Sequence, residues 1–196
     1  MNCADTLTAE QVDRAVTVLA HPGLIRLVSE IDDHGPFPRR MLARTLADLA
    51  RHQVRQALAA SRDHGLVRSG QHAGNPSYLL TEAGDELADV YDTAARWARA
   101  HHYPASDSDF VTRVQATLAL LCQKPVLDAL PDTNDAMATA VQEAVDADLL
   151  PATDAAFGLR RPWAALSLWI RTNPSVLPSA GDRPASTVTA DAEFAA

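Results

Sequence analysis

The chain has 196 residues, 47% of them hydrophobic, with 17 Lys+Arg against 25 Asp+Glu and a formal charge of −8. That length supports one large or two small cores, and the acidic balance excludes a protein that coats nucleic acid indiscriminately while leaving room for one local basic patch. Two cysteines, Cys3 and Cys122, make neither a disulfide framework nor a CxxC metal signature. There is no basic-then-apolar start and no run of about 18 apolar residues, so the expectation is a soluble cytoplasmic protein without a membrane span.

In chain order, "TAEQVDRAVTVLA" at 8–20 places Val12, Ala15, Val16 and Leu19 at helical spacing, with Thr8 and Gln11 set for a capping box. His21-Pro22 interrupts, and "GLIRLVSEI" restarts a short helix before the loop-like "DDHGPFP". "RRMLARTLADL" predicts a further helix with Met41, Leu42, Leu46 and Leu49 on one side. Ala50 to Asp63 predicts another, ended by Gly65 in the C′ place. Leu66–Ser69 and Ser77–Leu80 read as strands around the bend "GQHAGNP", with a third short strand expected near Gly35–Pro38. A long helix from 81 to 102 then carries the stripe Leu87, Val90, Tyr91, Ala94 and Trp97. That stripe must pack on the N-terminal helix, on the second half of the chain or on a two-fold mate. "YPASDSD" at 103–109 reads as a linker, 110–172 as a second helical region, and the Pro/Ser/Thr/Ala-rich tail from 173 as disordered.

Charge is segregated along this order. Residues 36–68 hold seven arginines (39, 40, 44, 51, 55, 62 and 68) and only Asp48 and Asp63 as acids. On the helix 50–63, Ala50, Val54, Ala57, Leu58 and Ser61 fall on one face; His52, Arg55, Gln56 and Ala59 fall opposite, with Arg51 and Arg62 flanking. A small, polar and cationic outer face suits a major groove: arginine reads guanine, glutamine reads adenine, and a small residue permits close approach. A solvated charged helix of an ordinary helical domain has the same pattern. The order helix, turn, basic helix, strand, turn, strand is what favours a winged helix-turn-helix in a mainly α fold with a small β-hairpin.

"SRDHGLV" at 61–67, the hairpin, "YLLTEAG" at 78–84 and the long helix with "ARWARAHH" together resemble the HxlR-type winged-helix transcriptional regulators, cousins of the MarR-type regulators. The resemblance covers about residues 15–102. It implies a homodimer that binds double-stranded operator DNA, with 50–63 as recognition helix, Arg68–Ser77 as wing and helices at both ends of the domain as dimer contacts. The residues it places at DNA are Arg39, Arg40, Arg44, Arg51, His52, Arg55, Gln56, Arg62, Arg68, Gln71 and His72. The chain departs from the family at "AHPG" (20–23), where the family has Gly-Lys-Trp, and at Ala50-Arg51, where it has Ser-Pro. At the wing, Arg68, Gln71 and His72 stand in for the usual tip cation.

The expected division is a DNA-binding domain over 1–104, a helical second domain over 105–172 and the tail over 173–196. The second half resembles a weakened copy of the first: "LLCQKPVLDAL" follows "VLAHPGLIRLV", "AVDADLL" follows "SRDHGLV", and "SLWIR" follows "ARWAR". Chance likeness between Ala/Leu-rich helices accounts for the same pattern. Acids at 143, 146 and 148 replace the cations, so this half is not a second DNA reader. Phe157, Arg160, Arg161, Trp163 and Trp169 either line a pocket for an acidic or aromatic effector or pack as core aromatics. Cys3 near the start raises a redox-switch reading that its distance from the next helix does not favour. The histidines lack metal-ligand spacing, and no catalytic constellation stands out, so the expectation is no enzyme, cofactor or metal. The competing function is a protein-interaction module whose basic face meets an acidic partner.

Overall fold

The computed structural model describes residues 7–123, 145–146 and 153–176. They form a mainly helical fold with one small antiparallel sheet: α1 (Ala9–Leu19), α2 (Pro22–His34), β1 (Phe37–Pro38), a 3-10 turn (Arg39–Met41), α3 (Leu42–Thr45), α4 (Arg51–Asp63), β2 (Val67–His72), β3 (Asn75–Leu80), α5 (Glu82–Ala100), α6 (Phe110–Leu121) and α7 (Thr153–Thr172).

Local chemistry sets the first boundaries. The Thr8 hydroxyl accepts from Gln11 N at 3.2 Å, and the Gln11 side chain accepts from Thr8 N at 2.8 Å, the expected capping box of α1. Pro22 occupies the first turn of α2, where its missing N–H leaves no helical bond broken. α2 runs to His34, three residues further than the loop-like "DDHGPFP" suggests, and Gly35 turns the chain out at φ 76°.

The basic stretch before α4 differs from expectation. "RRMLARTLADL" forms only the 3-10 turn and the four-residue α3, and Met41, expected on the buried side, is 36% exposed. Leu46 leaves helical geometry (φ −96°, ψ 39°) and its side chain is buried among Leu27, Ile31, Phe37, Val54, Val67 and Tyr78. The chain has to turn back between Pro38 and α4, and anchoring Leu46 in this small core leaves no room for a straight helix.

The sheet order is β1-β3-β2, all antiparallel, with Phe37 opposite Tyr78 and Val67 opposite Leu80. The expected third strand is therefore present. The bend is tighter than "GQHAGNP" implied: His72 pairs with Asn75, leaving Ala73 and Gly74 at φ 48° and 76°. Positive φ at both positions is the two-residue hairpin pattern that matches strand twist.

α2 separates two cores. On one side lies the small cluster shared with α4 and the sheet. On the other, a larger cluster joins α1, α2, α5, α6 and α7, so the helices on either side of residue 104 share one apolar interior. The α5 stripe Leu87, Val90, Tyr91, Ala94 and Trp97 is buried in full, against α2, α6 and α7. α5 and α7 run antiparallel and are pinned at both ends by indoles: Trp97 Nε1 donates to Ala155 O and Trp169 Nε1 donates to Ala83 O, each at 2.9 Å. Asn173–Val176, expected to belong to a disordered tail, instead continues the packing, with Val176 buried. Residues 177–196 lie outside the described set, as do Cys3 and most of the suggested repeat between 124 and 152.

The buried Tyr91 hydroxyl donates to Leu19 O at 2.8 Å, satisfying a carbonyl at the open end of α1. Tyr91→Phe is expected to reduce stability by about 1–2 kcal/mol, because a buried acceptor is left unpaired with little change in packing. Urea unfolding should show a lower midpoint at unchanged slope.

Candidate nucleic-acid interface

α4 is positioned from beneath by Val54, Ala57 and Ser61, which are buried. It packs closely on α2 at Ala57, whose Cβ would lie 2.8 Å from any Cβ added at Gly23. That contact gives the "AHPG" departure at 20–23 a physical role: glycine lets α2 and α4 touch. At the N-terminus, Gln53 Oε1 accepts from Ala50 N at 2.8 Å. The reciprocal bond cannot form, because an alanine cap has no side-chain acceptor. Gly65, at φ 63°, ends the helix as expected.

Arg51, His52, Arg55, Gln56 and Arg62 are all exposed on α4, as are Arg39, Arg40, Arg44 and Arg68 before and after it. The buried side of α4 orients its own five. At about 100° per residue, Arg51, Arg55 and Arg62 fall within roughly 40° of one another, a single stripe spanning about 16 Å of the axis. With Val54, Ala57 and Ser61 below, the outermost positions are His52, Ala59 and Asp63, with Gln56 and Arg55 about equally far to either side of them. Arg55 is thus the arginine of the stripe nearest the outer face, and Arg51 and Arg62 lie further down its flank.

The hairpin divides its expected contacts. Side chains alternate along β2, so Arg68 and His72 share one face of the sheet and Gln71 lies on the other. Arg68 extends along β2 over Gly70, where an added Cβ would be 3.5 Å from its guanidinium. Arg39 stacks over the Tyr78 ring at 5.2 Å, a cation–π contact that holds its charge against the sheet. Tyr78 and Arg26 were not singled out by the sequence. Arg26 pairs with Glu30 one turn on and reaches Asp48 at 3.6 Å. It thereby ties up one of the two acids inside the basic island.

The other, Asp63, is exposed in the last turn of α4, and the remaining acids of this half gather elsewhere. The Asp32 carboxyl is pushed up, first by burial and then by Asp33, Asp92, Asp85 and Asp89, which places the C-terminal end of α2 beside the acidic side of α5. Among the described residues, none of these carboxylates lies on α4 or the sheet.

The second-half candidates that are described lie in different surroundings. Trp169 is buried with its indole bonded to Ala83, and Trp163 is half-buried against the main core. Arg160 and Arg161 are exposed, and Arg161 faces a slot beside Trp97 rather than either of the other indoles. The Phe157 side chain lies outside the described set. Cys122 is half-buried, and burial, with a smaller effect of Asp13, pushes its thiol up to about 11. Such a thiol is a packing group, not a reactive thiolate. His64 is a link no sequence pattern disclosed: its Nδ1 lies 2.7 Å from Val176 O, joining the end of α4 to the segment after α7.

No described helix is long and apolar enough to cross a membrane. Compared with known proteins, the chain matches no family model, no curated protein and no solved structure.

Proposed function

We propose that the chain is a sequence-specific, DNA-binding transcriptional regulator of the winged helix-turn-helix kind. α4 enters the major groove and the β2–β3 hairpin lies alongside as the wing. The observation that carries this reading is the exposed Arg51/Arg55/Arg62 stripe beside the small polar edge His52, Ala59 and Gln56, with Asp63 on that edge only in the last turn, on a helix that leads directly into a hairpin. Guanidinium groups in line displace counterions along a phosphate strand, while the adjacent edge is slim enough to approach bases. The carboxylates on α2 and α5 favour one docking orientation, because they repel phosphate.

The test is selection of bound fragments from the source genome, followed by titration at several salt concentrations. Three or more phosphate contacts predict a slope of log K against log salt of about −3 or steeper, with a shared sequence among the fragments. Binding without enrichment or salt dependence would end the proposal. It would favour an interaction module for an acidic protein surface, a reading supported by the uncharged hairpin tip at Ala73-Gly74.

Assembly follows from packing. The homodimer implied by the family resemblance needs an apolar face, yet the α5 stripe is already filled by α2, α6 and α7. The expected result is a monomer of 21.0 kDa in sedimentation at micromolar concentration. Each particle then carries one reading helix and protects one half-site rather than two sites about 34 Å apart. A concentration-independent dimer mass would refute this assembly and would require a dimer contact away from the α5 stripe.

A further inference from the structure

α5 and α7 are in contact along their length, but towards the C-terminal end of α5 they leave a slot of about 230 Å³. Its walls are Thr93, Arg96, Trp97 and Ala100 from α5 and Gly158, Arg161 and Pro162 from α7. The slot has a sequence origin. Gly158 has no side chain, and a Cβ there would come within 3.0 Å of both Trp97 and His101. Pro162 lies one turn later inside α7 and has no N–H to return to the Gly158 carbonyl. Gly158 thus lets the Trp97 ring pack close against α7, and Pro162 leaves the Gly158 carbonyl without its helical donor.

The chemistry of the walls is divided. Trp97, Ala100 and Pro162 supply an apolar floor, and the Trp97 ring is held in place by its bond to Ala155 O at 2.9 Å and by a tilted ring contact with His101 at 5.2 Å. Two guanidinium groups stand at the edges. Arg96 donates from Nε to Asp92 O at 3.2 Å and lies 3.7 Å from the Asp92 carboxylate in a pair exposed on both sides, which leaves part of its guanidinium fork free for a stronger partner. Arg161 makes no ion pair among the described residues. The slot is smaller than pockets for drug-sized ligands, which begin near roughly 300 Å³.

We propose that this slot binds a small monocarboxylate with an apolar body, its carboxylate held between Arg96 and Arg161 and its body laid on Trp97. A guanidinium fork matches carboxylate geometry and stays charged at every working pH. The fixed indole requires no reorganisation to receive a ring or a short alkyl chain. The site does not depend on DNA binding, since none of its residues lies on α4 or the sheet.

The experiment is titration of the full chain with benzoate, hexanoate and the neutral isostere benzamide, followed by the assigned Trp97 indole N–H resonance. Benzoate or hexanoate should shift that resonance saturably, with a Kd on the order of 1 mM for so small a ligand. Benzamide should bind roughly tenfold more weakly. Arg161→Gln and Arg96→Gln, both at exposed positions, should each weaken the acid by roughly fivefold or more and leave benzamide unchanged. Equal affinity for benzoate and benzamide, an unchanged Kd in Arg161→Gln, or no saturable shift with either acid would overturn the proposal.

Discussion

Gly84→Ala is expected to destabilise the protein by about 3 kcal/mol or more, enough to remove most of the stability of an ordinary domain. Helix propensity alone gives the opposite sign, since alanine inside a helix is better than glycine by roughly 0.5–1 kcal/mol. The contact decides. A Cβ at Gly84 would lie 2.2 Å from Leu66 O and 3.2 Å from Leu66 C, both backbone atoms. Nor can that carbonyl retreat freely. Thr81 N donates to it at 3.0 Å and Thr81 Oγ1 at 3.2 Å, while the same hydroxyl reaches Gly65 O at 2.6 Å and accepts from Gly84 N at 3.2 Å. Threonine and glycine in "LTEAG" thus seat the start of α5 on the turn that ends α4 and starts β2. Urea unfolding of Gly84→Ala should show a large fall in midpoint. Gly158→Ala is the comparison: its contacts, 2.9 Å to Trp97 Cδ1 and 3.0 Å to His101 Nε2, are with side chains at a longer distance rather than with a backbone carbonyl, so its effect should be smaller. A midpoint for Gly84→Ala at or above that of the unsubstituted chain would show that the junction relaxes.

The same junction marks how far the sequence could be read. The α1 capping box, the stripe on α5, the end of α4 at Gly65 and the strand near Phe37 were legible because each is written in neighbouring residues at helical or strand spacing. "YLLTEAG" was legible as a pattern, but the reason for its glycine was not, because Leu66 approaches only in three dimensions. α3 was overcalled for a related reason. Met41, Leu42, Leu46 and Leu49 do have helical spacing, but the short path from Pro38 to α4 and the burial of Leu46 override it. The two indole bonds between α5 and α7 and the His64–Val176 link join residues 58, 86 and 112 positions apart, beyond the reach of any local signal. Trp169 is conspicuous in the sequence, but only packing decides between pocket and core. At the candidate interface, exposure of the arginines followed from periodicity. Their alignment along one flank of α4 came from identifying Val54, Ala57 and Ser61 as its buried side.

That alignment sharpens what substitution on α4 should do. Arg55→Ala is expected to weaken operator binding by about 1–3 kcal/mol and to relax the preference at one base pair, the loss of a bidentate guanine contact. Arg62→Ala should weaken operator and random duplex alike, and make the salt slope shallower by about one phosphate contact. The two residues share a stripe, so position along the helix separates their roles. Arg55 is in the second turn, near the end that enters the groove in helix-turn-helix docking. Arg62 lies seven residues further on, roughly 10 Å along the axis, level with the sugar-phosphate rim. Neither residue is buried or ion-paired in the described structure, so stability should change by no more than about 0.5 kcal/mol. The measurement is titration of each variant against operator and scrambled duplex across a salt series, with urea unfolding alongside. If Arg55→Ala lowers affinity for both duplexes equally, the whole stripe follows phosphates and base reading passes to His52 and Gln56 on the outer edge. If both variants bind as the unsubstituted protein does, α4 is a solvated charged helix and the DNA-binding proposal fails with it.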